Sequence, residues 1–277
     1  MKGFIVYQDY TEIDNQMYIQ LFGRLENGQS FVTLNKQDPY FFIKTDKLSK
    51  AKKLLSKFKV ENTEFKTFQG EPVTKISSGN LVEINKLGSA IRGLEIDTYE
   101  SDIKPYYRFI IDMDLLGSIE ITGEYEPSER IDRVYKNPIV KPSSFTPTLK
   151  VISIDLESSE KGDLFCIGLL GENYKKNFLI SDQKLNHTIN CKDEEECLEK
   201  FKAEILKLDP DIITGWNIAD FDFKYLQELF RKHKIPFDIG RTNANIRVKS
   251  SDNFFRPSSV DIPGRQVLDG LSLIKDP

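Results

Sequence analysis

Two carboxylates close a strongly apolar segment of the sequence, where Asp155 and Glu157 follow the run Val151-Ile152-Ser153-Ile154. Because side chains alternate in direction along a strand, these two acids should project from one face at the end of a buried strand. A divalent cation would relieve their mutual repulsion, and hard oxygen ligands favour Mg²⁺ or Mn²⁺. Roughly seven acid-x-acid pairs are expected by chance in this composition, so the apolar strand is what distinguishes this pair.

A third acidic residue, Asp222, lies in a segment with helical periodicity. Tyr225, Leu226 and Leu229 follow it at spacings of three, four and seven residues, which places Asp222 on the apolar, sheet-facing side of the helix. A buried carboxylate needs a partner, and a metal shared with Asp155 would supply one. Asn217 precedes this helix and is either its cap or a functional residue.

The elements that must position these residues alternate between strands and helices. Strands are predicted at 149–156, 164–170, 177–180 and 212–213, and helices begin at the acidic run 193–196 and at about Asp220. The second helix should end near His233. This order predicts an α/β domain with a mixed sheet.

At these segments the sequence resembles the family B DNA polymerases. Ile154-Asp155-Leu156-Glu157 is similar to the first exonuclease motif of that family, and Asn217 through Phe221-Asp222 is similar to the second, Asn-x-x-x-Phe-Asp. Likeness to the bacterial members continues through 165–169, 209–217 and 264–270. It is weaker before residue 149, where it rests on 68–72 and 99–103.

The resemblance implies an RNase H-like 3′→5′ proofreading exonuclease, in which two divalent ions cleave the terminal phosphodiester of DNA. On this basis Asp155 bridges both ions, Glu157 holds one ion and orients the attacking water, and Asp222 supports the second ion. Asn217 and Phe221 would position the terminal nucleotides.

The resemblance is incomplete at its end. The family's third motif, Tyr-x-x-x-Asp, is expected some tens of residues after Gly264-Arg265, and the polymerising motifs later still. Asp269 lies outside the catalytic motifs and is interpreted as structural. We therefore expect an N-terminal fragment of a polymerase with little or no nuclease activity of its own. Its expected partners are single-stranded 3′ ends, primer-template DNA and the rest of the polymerase, and a sliding clamp is a further candidate.

The first 145 residues predict a strand-rich α+β domain, with strands at 4–7, 17–22, 30–34, 40–43, 65–68 and 73–76. Helices are predicted at Lys47–Lys57, which carries a row of lysines on one face, and at about Leu81–Arg92. Proline, serine and threonine predict a connector over 127–149, so the domains are 1–145 and 146–277. The aromatic run 106–111 fits core packing better than base stacking.

Composition limits the other function classes. With 39 basic and 43 acidic residues the protein is not a uniform polycation, although a local basic patch is compatible with these totals. Two histidines and three cysteines without a CxxC spacing leave little material for zinc chemistry or for a Ser-His-Asp triad. The apolar runs are too short to span a membrane, and we expect a cytoplasmic, nucleoid-associated protein.

Two alternatives remain open on the sequence. One is a non-catalytic module that binds single-stranded nucleic acid, in which the carboxylates only cap and pair. The other is a stand-alone RNase H-like nuclease, which would need a replacement acid such as Asp252 or Asp261.

Overall fold

The computed structural model describes residues 1–249 and 258–275. Over these ranges the chain builds four sheets, with seven and three strands before residue 143 and with six and two strands after residue 150. The sheets and helices form a mixed α/β structure, as predicted. None of the helices in these ranges combines the length and the apolar composition needed to cross a bilayer.

The first part of the chain is rich in strands, as its sequence predicts. Its strands are β1 (Lys2–Ile13), β2 (Gln16–Leu25), β3 (Ser30–Lys36), β4 (Tyr40–Lys44), β5 (Lys59–Lys66), β6 (Pro72–Ser77), β7 (Ser118–Thr122), β8 (Tyr125–Glu126), β9 (Arg133–Lys136) and β10 (Ile139–Pro142). Its helices are α1 (Leu48–Ala51), α2 (Leu81–Arg92) and α3 (Pro105–Asp112).

Three predictions in this part need correction. The helix predicted over Lys47–Lys57 is only the single turn α1, because the backbone then closes successive tight turns up to Phe58. The strand predicted at 65–68 ends at Lys66, and the next residues form a turn. The connector predicted over 127–149 is wrong in its middle, because β9 and β10 lie there within the seven-stranded sheet.

The aromatic run 106–111 forms most of helix α3. Phe109 is buried, and Tyr106 and Ile110 pack against the same core cluster as strands β1 and β2. Tyr107 and Ile111 remain exposed. The core-packing interpretation therefore holds for the inner face of this helix.

The second part of the chain contains the predicted chemistry. Its strands are β11 (Val151–Ser158), β12 (Leu164–Gly171), β13 (Tyr174–Ile180), β14 (Thr188–Cys191), β15 (Ile212–Gly215), β16 (Arg247–Lys249), β17 (Ser259–Asp261) and β18 (Gln266–Asp269). Its helices are α4 (Glu194–Leu208), α5 (Asp222–Lys232) and α6 (Gly270–Lys275).

Strand β11 is central in the six-stranded sheet, whose order is β14-β13-β12-β11-β15-β18. It runs antiparallel to β12 and parallel to β15, so the sheet is mixed, as predicted. Strand β14 was not predicted; it lies parallel to β13 at the sheet edge. Helices α4 and α5 contribute Phe201 and Leu226 to one continuous core with the inner face of this sheet.

A buried cluster of charges joins the two parts of the chain. Arg24, at the end of β2, donates to the Asp211 carboxylate at 3.0 Å and pairs with Asp209 at 3.0 Å. Arg241 donates to Asp211 at 2.7 Å, and Arg265 donates to Asp209 at 2.7 Å. All three arginines and Asp211 are buried. The cluster fixes the chain immediately before β15, the strand that leads to Asn217.

Candidate functional site

Strand β11 presents the first two acids as predicted. Burial alternates along the strand, with Ile154 and Leu156 in the core and with Asp155 and Glu157 on the opposite, exposed face. Glu157 lies directly across from Cys166 of β12. Both carboxylates are therefore solvent-accessible and can be approached by a cation or a substrate.

Asp222 is the first residue of α5 and is only 3% exposed, which confirms the prediction that it faces the core side. Its Oδ1 atom is buried and has no hydrogen-bond partner among the described residues. Burial raises the pKa of this carboxyl to about 7; the negative charges of Asp155 and Asp269 add to the rise, and backbone N–H groups partly offset it. Asp222 is thus a buried carboxyl group with one oxygen atom, Oδ1, that no described residue satisfies.

The connection from β15 to α5 passes close to β11. A Cβ atom on Gly215 would lie 2.5 Å from the backbone oxygen of Ile154 and 2.2 Å from the side chain of Ile218, so only glycine allows this approach. The close packing brings the segment 216–222 against the strand that carries Asp155.

Asn217 does not cap the following helix, so that alternative is wrong. It adopts a left-handed backbone with φ of 56°, and the residue at the N-terminus of α5 is Phe221, without a side-chain cap. The Asn217 side chain forms no hydrogen bond with the part of the chain that the structure describes. Its amide is available to another molecule.

Two aromatic rings are exposed beside this segment. Trp216 is 62% exposed and Phe221 is 52% exposed. Both rings are therefore accessible to a base of a bound nucleic acid strand. The resemblance implies a substrate role for Phe221 and gives none to Trp216, the single tryptophan of the sequence, which follows a buried strand and a glycine.

Asp269 has the structural role that the sequence predicts. Its carboxylate accepts hydrogen bonds from the backbone N–H of Ala219 at 3.0 Å, Leu271 at 2.9 Å and Ser272 at 3.2 Å. These bonds tie the β15–α5 connection to the start of α6.

Asp261 is engaged elsewhere and is a poor replacement for a missing catalytic acid. It accepts a 2.5 Å hydrogen bond from the Tyr7 hydroxyl and forms an ion pair with Arg247. Asp252, the other acid considered, lies outside the described residues. Asp261 therefore offers no support for a stand-alone nuclease.

The three predicted ligands are not assembled into a finished metal centre. In residues 1–249 and 258–275, no three acidic, histidine or cysteine side chains converge in a group that could hold an ion. The orphaned Oδ1 atom of Asp222 nevertheless fits a divalent cation, since a buried carboxylate oxygen without a donor is the group that such an ion satisfies.

A family model described as the exonuclease domain of DNA polymerase family B matches residues 158–277. DNA polymerase II of Escherichia coli is 25% identical over 285 aligned positions, which cover 99% of this chain and 36% of that protein. The chain is homologous to the N-terminal and exonuclease region of family B DNA polymerases. The matched range includes Asn217, Phe221 and Asp222 and begins just after Glu157.

Archaeal proteins extend the same likeness. A DNA polymerase of Archaeoglobus fulgidus is 27% identical over 283 positions, covering 97% of this chain and 34% of that protein. The solved structure of the family B DNA polymerase from Pyrobaculum calidifontis superposes with a TM-score of 0.80 at 20% identity. It covers 100% of this chain and 37% of that one, which shows a shared fold. The chain thus spans about a third of the length of these relatives.

Proposed function

We propose that this chain contributes an RNase H-like 3′→5′ exonuclease to a DNA-directed DNA polymerase of family B, with residues 1–145 as the N-terminal domain and residues 146–277 as the exonuclease domain. The reaction is hydrolysis of the terminal phosphodiester at a DNA 3′ end during proofreading. The observation that carries the proposal is Asp222, a buried carboxyl with one unpartnered oxygen, which lies beside the strand of Asp155 and within the segment that the exonuclease family matches.

Asp155, Glu157 and Asp222 would hold Mg²⁺ or Mn²⁺, with two ions in a complete site. When bound, such ions lower the pKa of an attacking water and stabilise charge on the attacking and leaving oxygens. A raised pKa at Asp222 has a direct consequence, because its proton must leave before the carboxylate can act as a ligand. Occupancy of the site should therefore rise with pH near neutrality.

Asn217, Phe221 and Trp216 would bind the end of the DNA strand. The exposed rings of Phe221 and Trp216 can stack on unpaired bases, a contact that tolerates any base sequence. The Asn217 amide can donate to and accept from the sugar or base of the terminal nucleotide. A proofreading site requires such tolerance, because any of the four nucleotides can be misincorporated.

Binding of Mn²⁺ tests the proposal even if cleavage by the 277 residues is weak. Electron paramagnetic resonance should detect Mn²⁺ bound to the wild-type chain, with affinity at least about tenfold lower in Asp155→Asn and Asp222→Asn, since a metal ligand is removed. Exposed Glu228→Gln on α5 is the control. Unchanged affinity in both aspartate variants would overturn the proposed site.

A nuclease assay complements the binding measurement. We expect little or no Mg²⁺-dependent shortening of a 5′-labelled single strand by this chain. Robust cleavage abolished by Asp155→Ala would show that a fourth carboxylate is dispensable, whereas cleavage that survives Asp155→Ala would show that these carboxylates are not the catalytic ones.

A second candidate function rests on the exposed rings of Trp216 and Phe221, which can stack on unpaired bases whether or not a metal ion is bound. In this case the chain is a non-catalytic module for single-stranded nucleic acid. It predicts DNA binding that is insensitive to EDTA and unchanged in Asp155→Ala, without any Mn²⁺ site.

A further inference from the structure

The segment 216–222, between β15 and α5, carries Asn217, Phe221 and Asp222 of the candidate site. Residues 216–221 belong to neither a strand nor a helix. Asn217 adopts a left-handed backbone, and no side chain caps the N-terminus of α5. Without a strand ladder, the position of the segment depends on hydrogen bonds and packing contacts with neighbouring elements.

Asp269 ends strand β18 beside the start of this segment. The register of the parallel strands β15 and β18 pairs Asp269 with Gly215, the residue that immediately precedes the segment. The Oδ2 atom of Asp269 accepts a hydrogen bond from the backbone N–H of Ala219 at 3.0 Å. Ala219 lies in the middle of the segment, so this bond connects the end of β18 to the chain between Asn217 and Asp222.

The other carboxylate oxygen of Asp269 binds a different element. Its Oδ1 atom accepts hydrogen bonds from the backbone N–H groups of Leu271 at 2.9 Å and Ser272 at 3.2 Å. These are the second and third residues of α6, and a bond to them is the pattern of a side-chain N-cap. The cap uses one of the two carboxylate oxygens. The bond to Ala219 is therefore additional to capping.

Packing contacts carry the position of Asp269 to the rest of the segment. Ala219 is 2% exposed, and Ile218 is fully buried in the core that β11 and α5 share. On the other side, a Cβ atom on Gly270 would lie 3.4 Å from Cε3 of Trp216, so the residue after Asp269 packs against this ring. Movement of Asp269 would displace both Ala219 and the neighbour of the Trp216 ring.

Asp222 is the residue of the segment that most needs accurate placement. The backbone N–H of Leu156 lowers the pKa of Asp222 by hydrogen bonding, so the carboxyl group lies against the edge of β11. The groups of a metal site must be held within roughly 0.5 Å of the productive geometry by the residues that support them. Ala219 precedes Asp222 by three residues, and its bond to Asp269 supports the chain at that point.

We infer that Asp269 is a positioning residue of the candidate site, whose carboxylate bonds to α6 and to the segment 216–222 at once and thereby holds Asn217 and Asp222 beside β11. The inference rests on the proposed function for the identity of the site. It adds a residue that contacts neither the metal ion nor the DNA.

Asp269→Asn separates the two roles of this side chain. The amide has one acceptor oxygen, so it can cap α6 or bond to Ala219 but not both, and asparagine is as good an N-cap as aspartate. Trp216 reports on the segment directly, because it is the only tryptophan of the 277 residues. At a temperature well below Tm, the variant should show lower fluorescence anisotropy of Trp216 and, by electron paramagnetic resonance, about tenfold lower affinity for Mn²⁺.

Asp193→Asn is the matched control. Asp193 caps α4 by accepting a 2.9 Å hydrogen bond from the backbone N–H of Glu196, so this variant also removes one charge from a helix N-cap. It should change neither measurement. Asp269→Ser, whose short hydroxyl can cap α6 without extending to Ala219, should repeat both effects of Asp269→Asn and gives a second variant if the first folds poorly.

Asp269→Glu distinguishes position from charge. It keeps the negative charge on a longer side chain and should also lower the anisotropy and the Mn²⁺ affinity. Full Mn²⁺ affinity in this variant, with a loss in Asp269→Asn, would assign the effect to charge and overturn the inference. Unchanged anisotropy in Asp269→Asn, or an equal change in Asp193→Asn, would also overturn it.

Asp222→Asn, measured alongside, separates the inference from the proposed function. If it loses Mn²⁺ affinity and Asp269→Asn does not, the inference alone fails. If Asp155→Asn and Asp222→Asn both keep the wild-type affinity, the proposed site fails, and the anisotropy of Trp216 alone then decides whether Asp269 positions the segment.

Discussion

Asp222 gives the candidate site a pH-dependent stability that can be measured without a nuclease assay. Burial is the main reason that its pKa rises from 3.8 to about 7, so the folded state holds this proton more tightly than the unfolded chain does. The resulting penalty on folding is absent at low pH, grows between the two pKa values, and is complete above the folded pKa. At ~1.4 kcal/mol per pH unit the full penalty is on the order of 4 kcal/mol.

The substitution Asp222→Asn should remove this penalty. Urea unfolding of both proteins over a series from about pH 4 to about pH 8 gives the difference in free energy of unfolding at each pH. The variant should match the wild type at the acidic end and exceed it by several kcal/mol at the basic end. Glu228→Gln, on the exposed side of the same helix, should show no such trend.

Magnesium supplies the second arm of this experiment. A bound cation stabilises the ionised carboxylate, so at about pH 8 Mg²⁺ should stabilise the wild type by ~2.7 kcal/mol at a hundredfold excess over its Kd, and should stabilise Asp222→Asn far less. A difference between variant and wild type that stays constant across the pH series would refute the reasoning, because it would mean that Asp222 does not change its charge there.

Three further outcomes follow from other contacts. Arg24→Met should lower the free energy of unfolding by about 1–3 kcal/mol in a urea titration, because buried hydrogen bonds to Asp209 and Asp211 are lost while Arg241 still pairs with Asp211; the more exposed Arg133→Met should cost much less, and equal losses would contradict this. Burial would raise the pKa of Glu194, but hydrogen bonds from Lys232, His233 and a backbone N–H outweigh it and lower the pKa to about 2. Ionised Glu194 therefore stabilises the folded state fully above its normal pKa, and this stabilisation is lost as the pH falls towards 2. In thermal melts, Glu194→Gln should show a smaller loss of Tm on the acid side than the wild type. Gly215→Ala should lower Tm and weaken Mn²⁺ binding together, and an unchanged Tm would show that the close approach to Ile154 is relaxed.

The site elements were predictable because their signals are local. The position of Asp222 depends on helical spacing over seven residues, and the shared face of Asp155 and Glu157 depends on strand alternation over three. The structure keeps both patterns because the apolar residues in each segment must face the core, which fixes the direction of the acidic side chains. The shape of the loop between β15 and α5 is set instead by contact with β11. That tertiary contact explains why Asn217 is not a helix cap despite its favourable residue type.

The errors in the first part also have physical causes. Prolines predicted a connector over 127–149, yet Pro142 lies at the end of edge strand β10, where its missing N–H breaks no ladder. The predicted lysine-rich helix stops after one turn, because a short segment of turns is enough to pack its leucines against the core. The cluster of Arg24 with Asp211 could not be predicted, since 187 residues separate the two in sequence.

Because of that cluster, the domain boundary that the sequence predicts does not separate two parts that are stable independently of each other. A piece beginning near residue 146 would keep Asp209 and Asp211 with Arg241 and Arg265, and would expose the site once filled by Arg24. The N-terminal part therefore contributes to the stability of the fold around β15. Chimeras between homologous chains should exchange Arg24 and Asp211 as a pair, because a graft that moves one without the other loses an ion pair of this buried cluster.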